Sequence, residues 1–304
     1  MTLKSDVSSG DETIYEERRV PADLGELYVR DYPGSGPAFV MLHGFPDNLR
    51  IFEKVAPLLS GSGRRTVLFD FLGFGASDKP GQGYSFEQQV RDLTAVADAL
   101  ALDTVIPVAH DAGGPAAVNF TLRYPKRAAE VVLLNSFYAD APTLRLPEFI
   151  GFFATPSLSA LARHFLQRPA LFAELLQFQR GQFRALLPSE HQAGYDDFLG
   201  PLIDENFRQQ PGAGPAFGQM TAQLLPELAC NNQHLADLRA LDIPFRLVWG
   251  AKDPYLNTGV ADDLARHLRT VTTTILADAG HWPQIDRPDL VARALLSAAQ
   301  HQPR

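Results

Sequence analysis

With 304 residues, the chain is long for a single domain but ordinary for one core carrying an insertion. Its 45% hydrophobic and 20% charged residues suit a soluble protein able to bury a large core. The net charge of -8 argues against nucleic acid and anionic membrane surfaces as partners, because both need a basic footprint.

In chain order, Met1 to Thr13 is polar and acidic and lacks the basic start and apolar stretch of a signal peptide. The expectation is a cytoplasmic protein. Two runs from Ile14 to Asp31 flank the turn-like Pro21 to Gly25 and read as an antiparallel hairpin at the sheet edge. Ala38 to Leu42 is a continuous apolar run, a strand covered on both faces. His43-Gly44-Phe45-Pro46 follows at its carboxyl end, where ligands gather on parallel sheets. Asn48 caps a helix predicted through Leu59, and Gly61-Ser62-Gly63 stops it before a strand at Thr66 to Asp70. The loop Phe71 to Pro80 is Gly-containing but lacks the phosphate-binding form, so no nucleotide site is assigned there. Ser85 caps a helix from Phe86 to Leu100, and Val105 to Ala109 is the next strand.

That strand runs into Val108-Ala109-His110-Asp111-Ala112-Gly113-Gly114, around which the chain is organised. A strand, a sharp turn and a helix form a nucleophile elbow, whose small neighbours let backbones approach closely. The central residue is Asp111. A carboxylate is already ionised at neutral pH and attacks an electrophilic carbon without a base. The product is an ester of Asp111 itself, which must be hydrolysed by activated water, so a His and a second acid are required downstream. The blander alternative is an Asp that caps the following helix.

After the elbow, Gly114 to Tyr124 is helical and Val131 to Leu134 is a strand. From about Tyr138 to Leu238 the alternation lapses into Phe- and Leu-rich helical runs broken at Pro156, Pro169, Pro188 and Pro211. Pro147 to Phe178 is the most apolar long segment, but its charged residues rule out a membrane span. The only cysteine, Cys230, lies here, so no intramolecular disulfide forms. Alternation resumes with strands at Phe245 to Trp249 and Thr272 to Leu276, a helix near Val260 to Leu268, and a last helix after Asp289. The domain reading is a core of residues 14–137 and 239–304 with a helical lid at 138–238.

Two late loops supply the required groups. Trp249-Gly250-Ala251-Lys252-Asp253-Pro254 offers the acid and Ala279-Gly280-His281-Trp282-Pro283 offers the base. Each is weak alone, but nucleophile, acid and histidine at successive strand ends follow the order of an α/β-hydrolase sheet. Asp111 is therefore assigned as nucleophile, His281 as base and Asp253 as the carboxylate that orients it. Backbone N–H groups of Phe45 and Ala112 form the expected oxyanion hole. His110 and His43 are read as structural. The histidines lack metal-ligand spacing, and no cofactor is implied.

These residues resemble the α/β-hydrolase superfamily, and within it the Asp-nucleophile branch of epoxide hydrolases and haloalkane dehalogenases. His43-Gly44-Phe45-Pro46 looks like the H-G-x-P motif of epoxide hydrolases, and His110-Asp111-Ala112-Gly113 looks like their H-D-x-G elbow. Asp70 to Pro80 also fits. The resemblance implies a mostly parallel central sheet flanked by helices, with the helical lid inserted. It also implies hydrolysis through an alkyl-ester intermediate. Haloalkane dehalogenases usually carry Trp after the nucleophile and often Asn after H-G, and fluoroacetate dehalogenases usually carry Arg after the nucleophile. Here those positions are Ala112 and Phe45.

Epoxide hydrolases use two lid tyrosines as proton donors, whereas the segment between Tyr138 and Tyr255 holds only Tyr195. Tyr195 is one candidate donor. His164 is another, unless it sits on the outer face of its helix. Trp282 and lid phenylalanines such as Phe149, Phe152, Phe153 and Phe165 are candidates to line an apolar pocket. Asn135 ends the strand after the elbow, where it is expected at most to orient a group or water. The leading expectation is an epoxide hydrolase acting on a small apolar substrate. A haloalkane or haloacid dehalogenase is the alternative, and a non-catalytic protein binding a hydrophobic ligand is the third reading. No residue pattern indicates an oligomeric state.

Overall fold

The computed structural model describes residues 15–297. The polar Met1–Thr13 stretch, residue 14 and residues 298–304 of the assigned core lie outside the described residues. Eight strands form one sheet: β1 (Glu16–Ala22), β2 (Gly25–Tyr32), β3 (Ser35–Leu42), β4 (Arg64–Phe69), β5 (Val105–Asp111), β6 (Val131–Ser136), β7 (Phe245–Gly250) and β8 (Val271–Leu276). Their order across the sheet is β1-β2-β4-β3-β5-β6-β7-β8. The β1–β2 hairpin and the β2–β4 pair are antiparallel, and every later pair is parallel. This is the α/β-hydrolase architecture. Strands β5 and β6 are apolar along nearly their whole length because helices cover both faces of a parallel sheet.

The first helical segment differs from expectation. Asn48 does cap, accepting the Arg50 N–H, but it caps a single 3₁₀ turn (Leu49–Phe52), and α1 (Ala56–Gly61) starts separately with Pro57 in its first turn. Pro57 has no N–H to continue a helix from the preceding turn, so it fits only at a fresh start. Helix α2 (Phe86–Ala99) begins at Ser85, whose hydroxyl accepts the Gln88 N–H at 3.0 Å. It packs against α3 (Gly114–Arg123), the helix that follows the elbow.

Between β6 and β7 lie seven α-helices: α4 (Glu148–Ala154), α5 (Ser159–Leu166), α6 (Pro169–Leu186), α7 (Ser189–Gly194), α8 (Gly200–Arg208), α9 (Gly214–Asn232) and α10 (Leu235–Ala240). Pro169 opens α6 and Pro188 precedes α7, so these prolines sit at helix starts, where a missing N–H costs nothing. The insertion has its own aromatic core. Phe217 of α9 stacks on Phe149 at 4.9 Å and meets Phe153 edge-on at 5.3 Å and Phe172 at 5.8 Å. Phe152 and Phe165 are half-buried beside that core, and Cys230 is exposed on α9. The sheet is completed by α11 (Thr258–Ala265), α12 (Pro283–Asp286) and α13 (Pro288–Leu296).

One residue ties the insertion to the loop after β3. Asn206 on α8 is fully buried, and its Nδ2 donates to the carbonyls of Pro46 at 2.6 Å and Asp47 at 2.9 Å. Its Oδ1 accepts from the Gly75 N–H at 3.0 Å and from Asn48 Nδ2 at 3.3 Å. Among the described residues, no helix is long and apolar enough to cross a membrane.

Candidate active site

Asp111 ends β5 with φ +48°, in the left-handed region that side chains other than glycine rarely adopt. The pairing with β6 slips in register at this point, as a sharp turn out of a strand requires. The strain is held by close neighbours. Ser136 Oγ donates to the Asp111 carbonyl at 2.6 Å. A Cβ on Gly44 would come within 2.5 Å of Asp111 Oδ2, and one on Gly114 within 2.0 Å of Ser136 Oγ. Glycine at both positions is what lets the carboxylate stand between two loops.

His281 follows β8 and its Nδ1 lies 2.7 Å from Asp253 Oδ2, with both side chains buried. Asp253 Oδ1 accepts the N–H groups of Tyr255 at 2.9 Å and Leu256 at 3.1 Å. Burial opposes the Asp253 charge, but the His281 ring and these donors outweigh it and hold the carboxyl below its usual range. Burial likewise opposes protonation of His281. The Asp253 carboxylate, its hydrogen bond, and the nearby Asp111 and Asp47 win and push it up to about 9. Burial raises Asp111, which His281 and the backbone N–H groups of Ala112 and Phe45 pull back down. The two amides named from the sequence thus act on the Asp111 carboxyl.

Asp111 and His281 line a cavity of about 810 Å³, counting the space at its open mouth. Its walls are mainly apolar, with Phe149 and Phe183 from the insertion and Phe137 from the sheet end. Among the described residues, no group of His, Cys, Asp and Glu side chains is arranged to hold a metal ion.

The α/β hydrolase fold family signature matches residues 37–288. A haloalkane dehalogenase of Mycolicibacterium paratuberculosis is 30% identical, the match covering 90% of this chain and 87% of that protein. Epoxide hydrolase 3 of Xenopus tropicalis is 25% identical over 88% of this chain and 72% of its own. Among solved structures, an esterase from Thermogutta terrifontis superimposes with a TM-score of 0.73 at 18% identity, covering 92% of this chain and 96% of its own. This chain belongs to the Asp-nucleophile branch of the α/β-hydrolases.

The other residues named from the sequence fall on both sides of this hydrolase's cavity wall. Tyr195 is 3% exposed, lines the cavity, and leaves its hydroxyl without a hydrogen-bond partner. Trp282 also lines it, but its Nε1 donates to Asp47 Oδ2 at 3.0 Å. His164 does not reach the cavity. It is exposed on α5 and pairs with Arg168 at 2.9 Å, one helical turn on, so it is withdrawn as a substrate-binding residue. Of the four phenylalanines, Phe149 alone lines the cavity. Its neighbours Phe152, Phe153 and Phe165 pack within the aromatic core of the insertion.

His110 and His43 brace loops. The ring of His110 lies 4.8 Å from that of His281, and its Nε2 donates to the His281 carbonyl at 2.8 Å. His43 donates through Nδ1 to the Gly44 carbonyl at 2.6 Å and accepts the Phe71 N–H on Nε2 at 3.1 Å. Burial lowers His43 to about 4, so it stays neutral in this bridging role.

Two residues carry more than sequence reasoning assigned them. Asn135, with φ +32°, donates from Nδ2 to Asp253 Oδ2 at 3.0 Å and accepts the Gly250 N–H at 2.7 Å. It fixes the acid to the end of β7. Asp47 is buried in the cavity wall, where burial raises it to about 7 and Asp111 adds repulsion. Its place directly after His43-Gly44-Phe45-Pro46 was the one available signal.

Proposed function

We propose that this hydrolase opens a small apolar epoxide to a diol. An Asp111 oxygen attacks a ring carbon, the C–O bond on the far side breaks, and the ring oxygen takes the Tyr195 hydroxyl proton. Once Asp111 is esterified its charge is gone and the pull on His281 weakens, so the imidazolium loses its proton to solvent and the imidazole becomes a base for water. Water adds to the ester carbonyl, the Phe45 and Ala112 amides receive the oxyanion, and collapse releases the diol. The proton freed by hydrolysis returns to Tyr195. Asp253 orients His281 and balances its charge, and the 138–238 insertion acts as the lid that keeps the pocket apolar.

The observation that carries this reading is Tyr195. A buried hydroxyl with no partner shares an apolar cavity with the nucleophile. An epoxide oxygen needs such a proton, whereas a halide leaves without one. Haloalkane dehalogenation is the second reading, supported by the 30% identical relative. Against it, the Trp282 N–H is engaged by Asp47 and Ala112 offers only a methyl group.

The test is intact mass of His281→Gln protein after exposure to a panel of epoxides and haloalkanes. Loss of the base is expected to trap an epoxide-sized adduct that maps to Asp111. Adducts from halides alone, with halide release by the wild type, would give the dehalogenase reading. No adduct from the whole panel would sink both and favour a ligand-binding role.

A further inference from the structure

The epoxide reading leaves one chemical gap, because a single phenol must stabilise the oxygen that Asp111 displaces. Tyr195 is buried, and burial drives its hydroxyl up to about 12, which makes it a poorer proton donor than an ordinary phenol. A second group stands beside it. Arg180 on α6 lines the same cavity as Asp111 and Tyr195, with its guanidinium carbon 5.9 Å from the Tyr195 ring centre. That guanidinium pulls the Tyr195 hydroxyl back toward ionisation, opposing the burial.

Arg180 is built into place. Its Nη1 donates to Asp204 Oδ2 at 2.5 Å. Its Nη2 lies 2.1 Å from where a Cβ on Gly200 would stand, so glycine there is what admits the side chain. These contacts leave Nε, which is buried and unpartnered, as is the Tyr195 hydroxyl. Both atoms carry a proton to donate. Tyr195 accepting from Arg180 would still leave the phenol proton without an acceptor, so the pair calls for an oxygen that brings lone pairs of its own.

Of the other side-chain donors in the cavity wall, Arg145 is exposed and the rest are otherwise placed. The Trp282 N–H is held by Asp47, and the Tyr255 hydroxyl donates to Glu148 at 3.2 Å. Gln179 Nε2 is also unpartnered, but adjacent residues on a helix face different ways, and Gln179 lies against Tyr255. The charge balance also favours a neutral ligand. Arg180 already has Asp204 as its counter-ion, so a carboxylate ligand there would add a second negative charge to the same guanidinium.

We propose that Arg180 is a second catalytic donor, whose Nε–H and the Tyr195 O–H together receive the epoxide oxygen as it leaves carbon. In the ring-opening step the Asp111 oxygen–carbon bond forms and the ring C–O bond breaks with its electron pair on oxygen. That oxygen takes the Tyr195 proton, and Arg180 holds the resulting phenolate until hydrolysis returns a proton. The proposal rests on the epoxide reading.

The experiment measures the rate of ester formation with styrene oxide in His281→Gln protein, by intact mass at timed quenches. Arg180→Met is expected to slow it about 100-fold, the usual scale for losing one donor to a developing oxyanion. Arg180→Lys, which keeps a charge opposite Asp204, is expected to fall between Arg180→Met and the parent. It also serves as the folded control by circular dichroism should Arg180→Met not fold. In a Tyr195→Phe background, Arg180→Met is expected to have much less effect, because the proton transfer it assists is already lost. Unchanged rates in the Arg180 variants, or effects of the two sites that simply multiply, would overturn the proposal while leaving the epoxide reading intact. Absence of an adduct in the His281→Gln parent would remove the epoxide reading itself.

Discussion

Asp111 and His281 form the charged centre of the cavity, and each sets the protonation of the other. Burial makes Asp111 a weaker carboxylate, while the carboxylates of Asp253, Asp111 and Asp47 lift His281 to about 9. An imidazolium cannot take a proton from water, so on the proposed mechanism Asp111 is alkylated first and the base appears only once the ester has formed. It follows that Asp111→Asn, which mimics the neutral ester, lowers the His281 pKa below about 9. Titration followed by NMR of the ring nitrogens reads this directly, and an unchanged value would remove the switching argument. The same shift enters stability. A histidine raised from about 6.5 unfolded to about 9 folded contributes fully below the unfolded value and loses its contribution as pH rises through the folded one. Asp111→Asn narrows that window from its alkaline end.

At the scale of elements, the reaction depends on a helix being held against a loop. Asn206 of α8 uses both its carbonyl and its amide to fasten the insertion to the loops after β3 and β4. The loop it grips contains Phe45, whose N–H faces Asp111, and Asp47. Asn206→Ala leaves several buried backbone groups unpaired and is expected to cost about 3 kcal/mol. That corresponds to a fall of roughly 5–10 °C in Tm by calorimetry. On the proposed mechanism ester hydrolysis uses the Phe45 amide, so it is expected to slow more than Asp111 alkylation. Equal slowing of both steps would show that Asn206 contributes stability alone.

For the whole molecule, the cavity lies between the ends of the sheet strands and the insertion, two sides of one continuous buried core. The sheet side buries aliphatic chains together with phenylalanines such as Phe39, Phe69 and Phe120, and the insertion side is the phenylalanine cluster around Phe217. An apolar group tethered to Asp111 buries its surface against both. The trapped ester of His281→Gln is therefore expected to melt several degrees above the unmodified protein, since each buried methylene is worth about 0.8 kcal/mol. A scan showing no rise would place the tethered group outside the cavity.

Much of this protein was legible in its sequence, for local reasons. Apolar runs of strand length, most ending in a Gly-containing loop, predict a parallel sheet, and chemistry on such a sheet collects at strand ends. Asp111, Asp253 and His281 could be named as candidates because each lies at the end of a strand that sequence patterning detects or in the loop after it. Phe45 and Ala112 were named for their backbone N–H groups, so the turn rather than the side chain announced them. The insertion resisted this logic. Its helices carry large apolar residues on several faces, and which face meets the cavity is decided by packing between helices. Hence His164 and Tyr195 were both candidates, and only the structure puts one on the surface and the other in the wall of the cavity that Asp111 lines. Nothing in the sequence singled out Arg180, whose guanidinium is fixed by Asp204 and Gly200, brought in from across the insertion. The order of strands and turns follows from short-range pattern. The pairing of polar groups distant in the chain is a property of the tertiary structure, because it depends on which helix faces which.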